Sequence, residues 1–369
     1  MRLIPGRFCL LAWLMTLPLF GGCASPIALH KAVLEYDWTV NRIETELLLL
    51  NIARMRYHES IHFTAVSSIA ATFDFRVNTG LTGVLTEAPG LDSLTLSLGS
   101  SAAENPTVSI IPIQGEEFTK RLLTPITEGK VQFLSHQGID PGILLRLMAR
   151  GLFVEDNGTR RFLLNQPHLA DEYREFRRRI LHLSSLQLTR NLFIGPIPLT
   201  EGSAHISGRI AITNYDLDLL SNAERVALHD KAQRYPLSYV LVDIRPGYPG
   251  GEYPLSGQII LRNFKGILGF IGRGIAEEPE FDVEKDPRTG PVLVNPIHTL
   301  KIHESKTEPE APLIVVEKRN TWYYIEQGED FRDWTLRWNH EAFDVLYQLY
   351  HLTVTDVSKS PTVPITISK

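Results

Sequence analysis

Residues 58–62 read His-Glu-Ser-Ile-His, the spacing H-E-x-x-H. On a helix, imidazoles at i and i+4 converge on one zinc ion while the intervening glutamate activates its water. His58 and His62 are therefore candidate metal ligands and Glu59 a candidate base for a zinc-dependent hydrolase. The chemistry holds only if the element positioning these residues is a helix through residue 62. Upstream, Val33, Tyr36, Val40, Ile43, Leu47 and Leu50 recur in steps of three and four, which predicts a long helix from about Val33 to Tyr57. After Ile61 the stretch HFTAVSSIAATFDFRV is β-branched and aromatic, with Phe73 and Phe75 alternating against Asp74 and Arg76, the pattern of a strand. In a strand, four residues at roughly 3.3 Å each would separate the imidazoles by about 13 Å. No third ligand follows at a useful spacing, since Asp74 and Glu87 fall in expected strand and loop. The favoured reading is a helix C-terminus where Arg56 and His58 face the last carbonyls, with no metal and no cofactor.

Three other groups have the types for binding. Arg174, Arg177, Arg178 and Arg179 suit phosphates or a phospholipid surface, although the interleaved Glu172 and Glu175 favour a solvated helix face. His298, His303 and Glu304 form a second His/Glu group. At odd spacing in a strand the two imidazoles are expected to face opposite sides. Trp322, Tyr323, Tyr324, Trp334 and Trp338 are gathered near the C-terminus. Trp322 and Tyr324 are the candidates for a glycan- or lipid-binding platform, core packing being the more common fate of such residues. The run GFIGRG at 269–274 lacks the Lys-Ser/Thr ending of a phosphate loop, and no G-x-S-x-G elbow is present.

The N-terminus carries an address. Arg2 and Arg7 precede the apolar run FCLLAWLMTLPLF, then GGCAS, the three parts of an export signal. Phe20-Gly21-Gly22-Cys23 resembles a bacterial lipobox. That resemblance implies cleavage before Cys23, acyl chains on it and, with Ala rather than Asp at 24, a lipid anchor in the outer membrane. Several acyl chains hold a protein far more firmly than one. Cys9 leaves with residues 1–22, so the remaining 347 residues have no second cysteine for a disulfide, and their formal charge moves from −5 to −7. A mildly acidic chain is a poor nucleic-acid binder; the expected partners are the membrane, through Cys23, and another envelope protein.

The rest reads as α+β (mixed). Strand alternations at 91–99 and 106–113 suggest a β-meander. Short helices are expected at 116–124, 128–137 and from Asp140-Pro141, followed by a hairpin at Asn157-Gly158, a helix over 169–188 and a capping box at Ser221/Glu224. The charged segment AEEPEFDVEKDPRTG (276–290) reads as an exposed loop, and the chain closes with the strands LIVVEK and TWYYIE, a helix over about 331–352 and a last strand, TVPITIS. The expected organisation is a signal over 1–22, a lipidated tether over 23–32, and two α+β regions, 33–190 and 191–369.

The stretches EYDWTVNRIETELLLLNIARMRYHESIHFTAVSSIAATFDF (35–75), ENPTVSIIPIQGEEFTKRLLTPI (104–126), APLIVVEKRNTWYYIEQGEDFR (311–332) and HEAFDVLYQLYHL (340–352) together resemble a group of uncharacterised bacterial lipoproteins. Within that group LLLNIAR, GEEF…LLTPI and a W-x-Y-I strand before an F-x-x-L-x-x-L helix recur. The resemblance implies no activity and carries over no catalytic residue. The expectation is a lipid-anchored envelope protein with a non-enzymatic body in a binding or accessory role in envelope assembly or export. The zinc hydrolase at His58, Glu59 and His62 and the lipid- or glycan-binding module are its alternatives.

Overall fold

A computed structural model describes residues 24–84, 93–156, 158–201, 204–328 and 332–354. Cys23, the signal at 1–22, Asn157 and the expected last strand lie outside the described residues. Among the described residues eight helices and three sheets give a mixed α+β fold, as the alternation of 3.6- and 2-residue periods predicts. The chain divides into two compact units, one of residues 1–44, 64–112 and 360–369, the other of 45–63 and 113–359.

The first unit holds the start of α1 (Ala24–Arg56) and nearly all of β1 (Phe63–Val84) and β2 (Ser93–Ile113). The expected meander is instead one pair of strands, 22 and 21 residues long, hydrogen-bonded only to each other among the described residues. Val33, Leu34 and Trp38 of α1 are exposed. No helix of the described residues is long and apolar enough to cross a membrane.

The second unit is organised on a sheet of six strands: β3 (Ala149–Asp156), β4 (Thr159–Leu164), β5 (Phe193–Glu201), β6 (Ala204–Thr213), β7 (Tyr239–Ile244) and β8 (Leu255–Leu261). Their order across the sheet is β4-β3-β8-β7-β6-β5. Neighbours are antiparallel except β6 and β7. The sheet spans residue 190, the boundary between the two expected regions, since β3 from one side of it pairs over Ala149–Val154 with β8 from the other. Four helices pack on it, α3 (Glu128–Ser135), α4 (Pro141–Met148), α5 (Ala170–Leu188) and α6 (Asn222–Gln233), and three pack on one another, α2 (Glu116–Leu123), α7 (Phe264–Gly274) and α8 (Trp334–Val354). Asp140 caps α4 by accepting from the Gly142 N–H at 2.6 Å, and Ser221 and Glu224 close the capping box of α6. A small sheet is formed by β9 (His303–Ser305), β10 (Pro312–Lys318) and β11 (Thr321–Glu326), with β11 in the middle. Its hairpin turns at Arg319 and Asn320, φ 52° and 59°, the doubly left-handed geometry that matches strand twist.

Two features of the core tie distant elements together. Phe63 sits among Phe118, Phe264 and Tyr350, with ring centroids 6.2, 6.3 and 4.8 Å away, joining the start of β1 to α2, α7 and α8. Arg209 of β6 is buried and donates to Glu128 Oε1 at 2.6 Å and to the carbonyls of Ala232, Tyr235, Pro236 and Tyr239. One side chain thereby holds the end of α6 and the loop after it.

Candidate functional site

The segment between α7 and β9 contains no helix and no strand, yet it is no exposed loop. Glu280, Val283, Asp286, Thr289, Thr299 and Leu300 are buried, so the segment is a strap laid across α4 and α5. Its anchor is ionic. Glu280 Oε1 accepts from Arg146 at 3.1 Å, the Tyr173 hydroxyl at 2.7 Å and the Thr299 hydroxyl at 2.7 Å, while Oε2 accepts the Thr299 N–H at 2.5 Å. Burial alone would raise this carboxyl, but the guanidinium charges of Arg146 and Arg177 and the Thr299 donors overcome it and hold the group at about 2. Burial, then repulsion from Arg177, lowers Arg146. Both arginines also donate to the carbonyls of Pro296 and Ile297, and Arg177 holds Asn295 Oδ1 at 3.0 Å. Farther along, the Tyr253 ring lies between the guanidinium groups of Arg179 (3.9 Å) and Arg288 (4.0 Å). Arg288 belongs to the strap, so this stack is a second fastening.

Beside the fastened strap opens a cleft of about 460 Å³, lined by Asn295, His298, Lys301, His303, Glu326, Asp333, Thr335, Leu336, Trp338 and Asn339 among others. Each wall is fixed. Asn339 of α8 accepts the Lys301 N–H at 2.6 Å and donates to the Lys301 carbonyl at 3.0 Å. Trp338 donates its indole N–H to the Thr299 carbonyl at 3.1 Å. Asp333 caps α8, accepting the Thr335 N–H at 2.8 Å. Burial lowers His298, and burial with the neighbouring Lys301 lowers His303, so both imidazoles favour the neutral form. His303 stands 3.6 Å from Glu326 and stacks on Tyr324 at 5.1 Å. The cleft thus offers one ammonium, two neutral imidazoles and two carboxylates on a rigid frame. A smaller cavity of about 140 Å³ against α7 shares His298 and Lys301.

The expectation that His298 and His303 face opposite sides is overturned: His298 lies in the strap, outside any strand, and both line the cleft. The HESIH segment has no zinc geometry. α1 ends at Arg56 and β1 begins at Phe63, His58 sits at φ 54°, and the side chains part company. His58 pairs with Glu277 at 3.0 Å, Glu59 with Lys318 and Arg319 at 2.5 and 2.7 Å, and the His62 ring is exposed. The turn is set by buried Asn51, which donates to the His62 carbonyl at 2.8 Å and accepts its N–H at 2.9 Å. Among the described residues no three His, Cys, Asp or Glu side chains converge to hold a metal ion.

The arginine run is also corrected. Arg177 and Arg179 are 1% and 7% exposed and serve the strap and the Pro254 carbonyl, while half-buried Arg178 pairs with Glu175 at 3.2 Å and donates to the strap carbonyl of Glu284, and half-buried Arg174 pairs with Asp171 at 2.9 Å. Glu172 accepts from the Leu164 N–H rather than from an arginine of its own helix. The aromatic group divides: Tyr323 and Trp338 are buried, Trp322 and Tyr324 half-buried, and Trp334 exposed. GFIGRG lies within α7, where Gly272 allows α1 to approach; a Cβ there would stand 2.8 Å from the Ile52 carbonyl. The functional residues missed in the sequence are Glu280, Lys301 and Asn339. One signal pointed to the first: Arg146 lies in the otherwise uncharged helix PGILLRLM, and a buried guanidinium requires a counter-charge. No family model, no curated protein and no solved structure matches the chain.

Proposed function

We propose that the protein is a lipid-anchored protein of the bacterial outer membrane, held through Cys23, whose second unit binds a partner in an accessory role in envelope assembly or export. The observation that carries the binding role is the cleft of about 460 Å³ whose walls are fixed before any ligand arrives. A preorganised concave site with few, well-placed polar groups is the usual form of a binding pocket, and fixed walls lower the ordering cost of binding. The lipobox-like FGGC and Ala24 support the anchor. A zinc hydrolase at HESIH has lost its support with the helix it required.

One cell experiment tests both halves. Cys23→Ala should move the folded protein from the membrane fraction to the soluble fraction; retention at the membrane refutes the anchor. In the anchored protein, a photo-reactive amino acid at Leu336, in the cleft, should yield one cross-linked product that the same group at exposed Leu219 does not. Equal labelling or none at the two positions refutes the cleft as the binding site.

A further inference from the structure

The β1–β2 pair is the least explained part of the molecule. Strands of 22 and 21 residues, at roughly 3.3 Å per residue, run to about 70 Å. Among the described residues no third strand joins them, so each has an unpaired edge. An isolated two-stranded sheet is marginal in water, and long edges invite pairing unless Lys or Pro blunts them. β1 contains neither, β2 has Pro106 and Pro112 only in its second half, away from the connection between the strands, and no Lys occurs anywhere in 63–113.

The sequence of the pair alternates with strand period. Over 69–82 of β1 the odd positions are Ile, Ala, Phe, Phe, Val, Thr and Leu, and the even ones Ala, Thr, Asp, Arg, Asn, Gly and Thr. Both charges of β1 fall in the second series. In β2, positions 94, 96 and 98 are Leu, against Ser93, Thr95, Ser97 and Gly99. These tracts adjoin the connection between the strands. A tilted strand needs about ten residues with one apolar and one polar series to cross a bilayer with lipid on one side and water on the other; the β1 tract, 69–82, exceeds that length, and the β2 tract, 93–99, supplies its inner part. A soluble sheet packed on its own core would show the same alternation but needs a layer to cover it.

We infer that several copies of this chain join their β1–β2 pairs edge to edge, β1 of one against β2 of the next, into a closed barrel that crosses the outer membrane. Closure satisfies every strand edge, which lipid requires, and a head-to-tail contact repeated by rotation makes a ring. Two strands per copy give an even count, and a water-filled lumen takes about 16–18 strands, or about eight or nine copies. The series containing Asp74 and Arg76 lines that lumen. The channel supplies a role in export, and it rests on the membrane location proposed above.

Single-cysteine labelling of the full mature chain, purified from membranes, tests it. Wild-type protein is first treated with a thiol-reactive NBD dye. Absence of label agrees with an acylated Cys23; labelling overturns the anchor alone, and the scan proceeds in Cys23→Ser. Phe75→Cys, Val77→Cys and Leu96→Cys are then compared with Arg76→Cys, Asn78→Cys and Thr95→Cys in phosphatidylethanolamine–phosphatidylglycerol liposomes. The barrel predicts blue-shifted emission, quenched from within the lipid, at the first three and water-like emission at the others. It also predicts an ion conductance that shifts toward cations in Arg76→Glu. Water-like emission at all six positions overturns the proposal, and so does alternation without conductance.

Discussion

Glu280 accepts four hydrogen bonds from three residues, all of them buried with it. Its value is conditional on its partners: an intact buried pair gains little over apolar packing, whereas removing one member strands the other charge at about 3–5 kcal/mol. Glu280→Gln should lower stability by that amount, read as the shift of the urea midpoint. The same carboxyl sets an acid limit. Its folded value, about 2, lies below the ordinary 4.5, so on acidification the unfolded chain takes up the proton first. Its contribution, on the order of 3 kcal/mol, is complete above pH 5 and is lost as the pH falls from about 4.5 toward 2; the Gln variant should lack that slope. Little of this was legible in AEEPEFD, because three other acids flank Glu280 and only packing distinguishes the one that meets Arg146. The HESIH segment is the converse, a pattern of residue types without the helix that would give it meaning.

Elements with local signals were readable. Asp140-Pro141, Ser221 with Glu224, and Gly158 at φ 77° each fix a backbone geometry within a few residues, so sequence alone suffices there. β6 carried no such mark. Its Gly208 breaks the pattern because β6 runs close to α6, where a Cβ would lie 2.7 Å from His229 Nδ1, and such a contact is invisible in one dimension. The meander failed for a related reason: the two alternations at 91–99 and 106–113 are one strand, β2, and pairing with β1 carries it through the unpatterned residues between them. Helix glycines show how position decides effect. Gly272→Ala places a methyl 2.8 Å from the Ile52 carbonyl and 3.0 Å from the Arg56 N, backbone atoms that cannot turn aside. It should destabilise by about 1–3 kcal/mol. Gly129→Ala in α3 meets nothing within 4 Å and should stabilise by about 0.5–1 kcal/mol. Thermal melts of the two variants, moving in opposite directions, check the pair.

For the whole molecule, the stretches that resemble a group of bacterial lipoproteins consist largely of core residues. Leu48, Leu49, Asn51, Ile52 and Ala53 of LLLNIAR, Phe118 and Leu122, Tyr323 and Ile325, and Phe343, Leu346 and Leu349 are all buried. That is why the likeness spoke to architecture and was silent on activity, while Lys301 and Asn339 of the cleft lie outside the stretches that carry it. The second unit, which contains no cysteine, is fastened by guanidinium groups: Arg146, Arg177, Arg209 and Arg262 are each buried and each hold two or more carbonyls. The strap shows how this bears on resistance to proteases. Irregular, charged and carrying Lys285 and Arg288, it has the composition of a cleavage site, yet it lies in an active-site groove only after Glu280 and its partners let go. Trypsin should therefore spare it at native pH, with the cutting rate following the population of the opened form. In Glu280→Gln the first cut should fall after Lys285 or Arg288, so that a salt link in the interior decides how long the chain stays whole in the presence of a protease.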